Sequence, residues 1–146
     1  DIDRLRWAAR LHDLGKVAVA VAVLGKNRKL TPKEWGDVWR APRLSARLLR
    51  RFELSAAEAR AVEYHRERYD GRGYPDGLGG DAIPLEARII FACDAFHAMT
   101  TDRPYREALP VEEAFRRLTS AAGTQFDPVV VEVCLRVLKQ PPPTAD

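Results

Sequence analysis

Asp70-Gly71-Arg72-Gly73-Tyr74-Pro75-Asp76-Gly77 is the stretch on which the fold of this chain turns. Between Tyr69 and Pro84 glycine recurs at 71, 73, 77, 79 and 80, and proline at 75 and 84. Glycine admits left-handed backbone and proline removes a donor, so this composition excludes regular structure and specifies a shaped loop. For Gly73, Tyr74 and Pro75 the role expected from this alone is structural. What flanks the loop decides the class. Upstream, Ser55-Ala56-Ala57-Glu58 is a capping box that opens a helix carrying Val62 and His65. Downstream, apolar spacing predicts helices at about Leu85–Thr100, Val111–Ala121 and Pro128–Leu138.

The remainder reads the same way. Ile2, Leu5, Trp7, Ala8, Leu11 and Leu14 make an amphipathic first helix with Gly15 as its stop. Val17 to Leu24 alternates larger and smaller apolar residues, a strand by propensity. Nothing nearby offers that strand a partner, and a buried turn with a short helical piece is expected instead. Thr31-Pro32-Lys33-Glu34 combines a capping box with proline in the first turn. Pro42 is expected to break that helix, with another starting near Arg43. The chain is therefore expected to be all-α, a helical bundle with one long glycine-rich loop. A single domain is expected over residues 1–138, with a Pro-rich tail at 139–146. Asp1 falls in what reads as mid-helix, so further sequence upstream is expected.

Composition sets limits on function. Of the 146 residues, 46% are hydrophobic and 31% charged, the balance of a globular domain. No apolar run has the length of a membrane span, and no secretory signal opens the chain. The net charge is +3. Arg40, Arg43, Arg47, Arg50 and Arg51 crowd one segment beside Leu44, Leu48 and Phe52, a solvated helix face rather than a nucleic-acid surface. No nucleic-acid polymer is expected as a partner. Cys93 and Cys134 stand in apolar surroundings and read as reduced core residues, which implies a cytoplasmic location.

All three histidines lie in three short stretches: His12-Asp13-Leu14-Gly15-Lys16, His65-Arg66-Glu67, and Asp94-Ala95-Phe96-His97. Two imidazoles and two carboxylates form an N/O ligand set suited to a divalent metal. His12 and Asp13 are consecutive, so both reach one cation only if it sits beyond the helix end. Asp94 lies in an otherwise apolar helix, where an unpaired carboxylate is expensive. Either a metal or a salt bridge to Arg103 or Lys16 offsets that cost. Lys16 reads as a phosphate-binding cation or a charge at a helix C-terminus. His97 follows Asp94 by three residues and can share its face, or can be a surface histidine.

In these residues the chain resembles the HD-GYP phosphodiesterases, a subfamily of the HD metal-dependent phosphohydrolases. Gly73-Tyr74-Pro75 matches the GYP element, and His65-Arg66-Glu67 stands where the family has His-His-Glu. Ile83-Pro84-Leu85-Glu86-Ala87-Arg88-Ile89, Thr101-Asp102-Arg103-Pro104-Tyr105-Arg106 and Gly123-Thr124-Gln125-Phe126-Asp127-Pro128 match in order. The resemblance implies hydrolysis of cyclic-di-GMP to pGpG and onward to GMP, supported by iron or manganese. It implies His12, Asp13, His65 and Asp94 as metal ligands, with Asp13 bridging. Asp13 and Lys16 would be catalytic, and Lys16, Arg103 and Arg106 would hold the substrate's phosphates. An upstream sensor or regulatory domain is compatible with a chain that opens in mid-helix.

Two positions depart from the family. Its Lys-His-Pro is Arg40-Ala41-Pro42 here, and the second histidine of His-His-Glu is Arg66. A methyl group and a permanently protonated guanidinium cannot ligate a cation. One ion is therefore expected rather than two, with Arg66 offering a positive charge and a phosphate contact in place of the second. The alternative is a degenerate module that binds nucleotide or a protein partner without hydrolysis.

Overall fold

Two capping boxes frame the first half of the chain. The computed structural model describes residues 2–20, 23, 26, 29–52, 55–103 and 106–140. Among these, the helices are α1 (Ile2–Leu11), α2 (Pro32–Arg51), α3 (Ala56–Tyr64), α4 (Leu85–Thr100), α5 (Val111–Ser120) and α6 (Pro128–Leu138), with 3-10 turns at Leu14–Ala18 and Gly80–Ala82. Thr31 opens α2: its Oγ1 accepts from Glu34 N, and Glu34 Oε2 accepts from Thr31 N at 2.8 Å. Ser55 and Glu58 repeat that exchange at the start of α3. The fold is all-α, and no strand occurs among the described residues, only isolated bridges.

Pro42 does not break its helix, contrary to the sequence expectation. α2 runs through it for 20 residues. Proline deletes one helical N–H, but Ala41, Pro42, Ser45, Ala46 and Leu49 are all buried along α2. α2 packs chiefly on α3 and on the Leu14–Ala18 turn. Burial of Leu49 alone contributes about 1.5–3 kcal/mol, comparable to the local penalty of proline.

α4 separates two cores. On one side Phe91 and Ala92 meet Leu118, Phe126, Val130 and Val131 from α5, α6 and the connection between them. On the other, Ile90 joins Ala8, Leu49, Ala61 and Val62 from α1, α2 and α3. This two-sided burial explains why α4 is apolar around most of its circumference. In α1 only Ala8 is buried, and Ile2 and Trp7 are exposed.

Further expectations need correction or limits. Gly15 does not terminate α1, which ends at Leu11; it lies inside the following 3-10 turn. Within the segment read as a buried turn, Val19 is buried and Val17 exposed, while residues 21, 22 and 24 lie outside the described residues. The glycine-rich loop contains one regular piece, the turn at Gly80–Ala82. Cys93 is exposed rather than core, because α4 turns it away from Phe91 and Ala92; Cys134 is half-buried. The basic face of α2 is solvated: Arg40, Arg43, Arg47, Arg50 and Arg51 are all exposed. No helix is long and apolar enough to cross a membrane among the described residues. From residue 141 the Pro-rich tail lies outside them.

Candidate metal centre

The His-Asp pair stands on a turn fixed from behind. His12 and Asp13 follow the last residue of α1, one step beyond the helical turn expected for them. Buried Ser45 on α2 donates from Oγ to the His12 carbonyl at 2.9 Å and accepts from Gly15 N at 2.6 Å. A Cβ on Gly15 would lie 2.0 Å from the Ala41 carbonyl oxygen and 2.7 Å from Ser45 N. Glycine is therefore what lets the turn seat against the α2 backbone and aim both side chains inward.

His65 ends α3 and is 1% exposed. Its Nδ1 lies 2.7 Å from the Val62 carbonyl, and His12 Nδ1 lies 2.6 Å from the Ala9 carbonyl. A carbonyl only accepts, so each Nδ1 carries the proton and each Nε2 faces the site. Both Nε2 atoms are buried without a hydrogen-bond partner. The rings meet edge to face, 4.9 Å between centroids. One ligand atom each from His12, Asp13 and His65 lies within 4.8 Å of the others. Backbone-fixed imidazoles whose buried Nε2 atoms make no hydrogen bond and face a carboxylate are the arrangement that binds a divalent cation, and these residues fit one.

Asp94 flanks this group. Its Oδ1 is 3.7 Å from His12 Nε2, but its Oδ2 is held by Arg66 Nη2 at 2.9 Å. Arg66 Nη2 also lies 3.8 Å from Asp13 Oδ1. The salt bridge at Asp94 thus comes from Arg66, not from Arg103 or Lys16. A second cation would have to share Asp13 and Asp94 with that guanidinium, against its positive charge.

These charges polarise the histidines in opposite directions. Burial opposes charging His12, but the carboxylates of Asp13 and Asp94 outweigh it and lift its pKa to about 9. Burial and the Arg66 charge push His65 down to about 3. Burial also works against the charged form of Asp94, yet His12 and Arg66 hold it at about 2. A metal needs neutral imidazole, so an ion must displace the proton of His12 and none from His65. Binding of Mn2+ at about pH 7.5 is expected to release about one proton per ion, falling toward zero above about pH 10. Calorimetry in buffers of different ionisation enthalpy measures this directly. Release independent of pH across that range would contradict it.

Lys16 Nζ bonds Asp13 Oδ2 at 2.6 Å and is half-exposed. Arg103 and Arg106 sit on the turn after α4, joined by backbone bonds of 2.8 and 3.0 Å. Arg106 donates to the Ala98 carbonyl, and no described hydrogen bond or ion pair joins either arginine to the histidines. His97 is exposed and stands apart from the cluster.

The glycine-rich loop closes over the site by contacts that sequence reasoning missed. Glu67, 2% exposed, accepts from Asp76 N at 2.7 Å and Gly77 N at 3.0 Å. Gly73 has no room for a Cβ, which would lie 2.3 Å from Arg68 N and 2.5 Å from Glu67 Cα. Tyr74 is thereby drawn in beside Arg66, its N–H bonding the Arg66 carbonyl at 3.3 Å. Against Tyr74 stacks Trp39 of α2, with Trp35 one turn earlier. Nothing marked Ser45 in the sequence. Two tryptophans four residues apart among polar neighbours were the visible signal for Trp35 and Trp39.

A turn after α1 presenting His12 and Asp13, His65 at the end of α3 and a cationic surround make a group suited to a divalent ion and a phosphate. The profile of the HD domain family matches residues 2–130, and the chain belongs to that family. It is 43% identical over 139 residues to the cyclic di-GMP phosphodiesterase response regulator RpfG of Xanthomonas campestris pv. campestris, covering 90% of this chain and 35% of that protein. It is 36% identical over 141 residues to a cyclic di-GMP phosphodiesterase of Thermotoga maritima (95% and 38%). It is 39% identical over 142 residues to the 3'3'-cGAMP-specific phosphodiesterase 3 of Vibrio cholerae (96% and 30%). A crystal structure of a cyclic GMP-AMP-specific phosphodiesterase from V. cholerae shares the fold, with a TM-score of 0.70, 21% identity, and coverage of 94% of this chain and 38% of that one. The chain spans about a third of the length of these relatives.

Proposed function

We propose that this chain is the hydrolytic domain of a metal-dependent cyclic-dinucleotide phosphodiesterase, with cyclic-di-GMP as substrate and pGpG, then GMP, as products. The observation that carries this is the convergence on Asp13 of the Nε2 atoms of His12 and His65, both buried and neither in a hydrogen bond. The names of the relatives supply the substrate class. His12, Asp13 and His65 would hold one iron or manganese ion, and Asp94 would complete the ligand set. When bound, the ion supplies Lewis acidity and activates water.

The chain's own residues do the remainder. Lys16, tethered to Asp13, neutralises a phosphate oxygen as charge develops on it. Arg66 stands in for a second cation, held by Asp94, and binds the phosphate from the other side. Arg103 and Arg106 receive the distal phosphate, a role supported by the motif resemblance alone. Residues 1–138 act as one domain, 139–146 as a tail, within a cytoplasmic protein. The short share of each relative that is matched supports a sensor or regulatory domain elsewhere in the protein.

A second reading, binding without hydrolysis, is favoured by one observation: Arg66 occupies ground a second ion would need. Chromatography of cyclic-di-GMP incubated with the Mn2+- or Fe2+-loaded protein separates the two. Linear pGpG, with about one ion per chain by elemental analysis, is the expected result. Bound but intact nucleotide would establish the second reading instead.

A further inference from the structure

Beside the metal centre lies a cleft that shares only Arg66 with the phosphate chemistry proposed above. Its volume is about 560 Å3, lined by Trp35, Gly36, Trp39 and Pro32 from α2 and by Arg66, Arg68, Arg72, Gly73 and Tyr74 from the loop side. Trp39 stacks on Tyr74 with centroids 5.8 Å apart and planes 26° from parallel, and Trp35 continues the row at 6.4 Å. Trp35 is 44% exposed and Trp39 51%. Large aromatic faces left open to water in a row, in a concave surface, form a stacking platform awaiting a flat ring.

The charge of the rim narrows the ligand. Arg68 is clamped by Asp70 through bonds of 3.0 and 2.6 Å, which fixes its guanidinium at the cleft wall. Arg72 is exposed, and Arg66 belongs to both places: it lines the cleft and pairs with Asp94 at 2.9 Å. A ligand for this surface has a planar aromatic part for the tryptophans and an anionic part for the arginines. The Arg66 side of the cleft is also the side nearest the hydrolytic residues. A nucleotide meets these demands, with its base in the cleft and its phosphate at Arg66.

We infer that the Trp35–Trp39–Tyr74 wall is the base subsite of this chain, stacking one purine of the cyclic dinucleotide whose phosphate engages Arg66. This rests on the cyclic-dinucleotide reading above but not on turnover. Trp39 is the determining residue, because it alone touches both of the other rings. Its role is binding and specificity, not chemistry.

The test is calorimetric binding of a bis-phosphorothioate analogue of cyclic-di-GMP to the Mn2+-loaded chain. Trp39→Ala is expected to weaken binding by about ten- to a hundredfold, in line with stacking energies per base. Trp39→Phe should stay within about threefold, since it keeps a π face. Trp39→Leu, which keeps apolar bulk without one, should behave like Ala. Bound Mn2+ should be the same in all of them. Equal affinity in Trp39→Ala or Trp39→Leu would overturn the inference even if hydrolysis is robust. So would failure of the unaltered protein to bind the analogue. Tight, Trp39-dependent binding without any hydrolysis would uphold it while the enzyme reading fell.

Discussion

Asp13→Ala is expected to lose its ion and to cleave cyclic-di-GMP at least about a hundredfold more slowly than the unaltered chain. Asp13 is where the cluster's charges meet. It lies 3.4 Å from His12 Nε2, 2.6 Å from Lys16 Nζ and 3.8 Å from Arg66 Nη2. Burial works against its charged form, yet His12 and Lys16 hold its carboxyl far below the ordinary range. Truncating it leaves Lys16, Arg66 and His12 facing one another with one fewer carboxylate, a field that repels a divalent cation. Removing a partner that merely orients a ligand costs ten- to a hundredfold in metal affinity or activity, and a direct ligand costs no less. Elemental analysis and product chromatography check the two halves separately. The helices should be intact by circular dichroism, because Asp13 contributes nothing to either core. An Asp13→Ala protein that still carried an ion and cleaved at the original rate would remove this cluster from consideration.

Gly15→Ala should instead damage the fold. The added methyl would stand 2.0 Å from the Ala41 carbonyl oxygen, 2.7 Å from Ser45 N and 2.8 Å from Ser45 Oγ. Two of those atoms are α2 backbone, so no side-chain rotation relieves the overlap. Relief requires the turn to lift off α2, which stretches the Gly15–Ser45 and Ser45–His12 hydrogen bonds together. Overpacking of this kind costs about 3 kcal/mol, which for a chain of this size lowers the melting temperature by roughly 10 °C. The ion should be lost as well, because His12 and Asp13 move with the turn. Gly36 provides the control, since a methyl there meets nothing within 4 Å. Gly36→Ala should be neutral or slightly stabilising in the same melt, as expected for alanine in a helix.

Much of this was legible in the sequence because local chemistry dictates it. The capping boxes at Thr31 and Ser55 start their helices where the spacing of Glu34 and Glu58 places them. The long helix ending at Thr100 and the helix opened by Asp127 and Pro128 follow apolar periodicity. Pro42 was misread because a local rule met a global one: burial along α2 outweighs one missing N–H. Cys93 was misread because apolar neighbours in sequence are not neighbours around a helix. At the site, the residue types of His12, Asp13 and His65 could be singled out, and the spatial relation of Asp94 to Arg66 could not. That pair is separated by 28 positions and exists only once α3 and α4 pack together. The contacts of Ser45 and Glu67 escaped notice for a related reason, although Glu67 stood in a named motif. Each acts on backbone groups of a turn elsewhere in the chain, and residue type alone does not advertise such a contact.

The guanidinium of Arg66 has a consequence for a cell short of transition metals. An inorganic cation exchanges with its surroundings and can be stripped by a stronger chelator, whereas a charge carried on the polypeptide cannot be taken away. On the function proposed, a chain deprived of its divalent ion would fall silent as a catalyst and still present Arg66, Lys16 and its row of aromatic rings to a nucleotide. On that reading, scarcity would turn it from a sink that destroys its ligand into a reservoir that holds it.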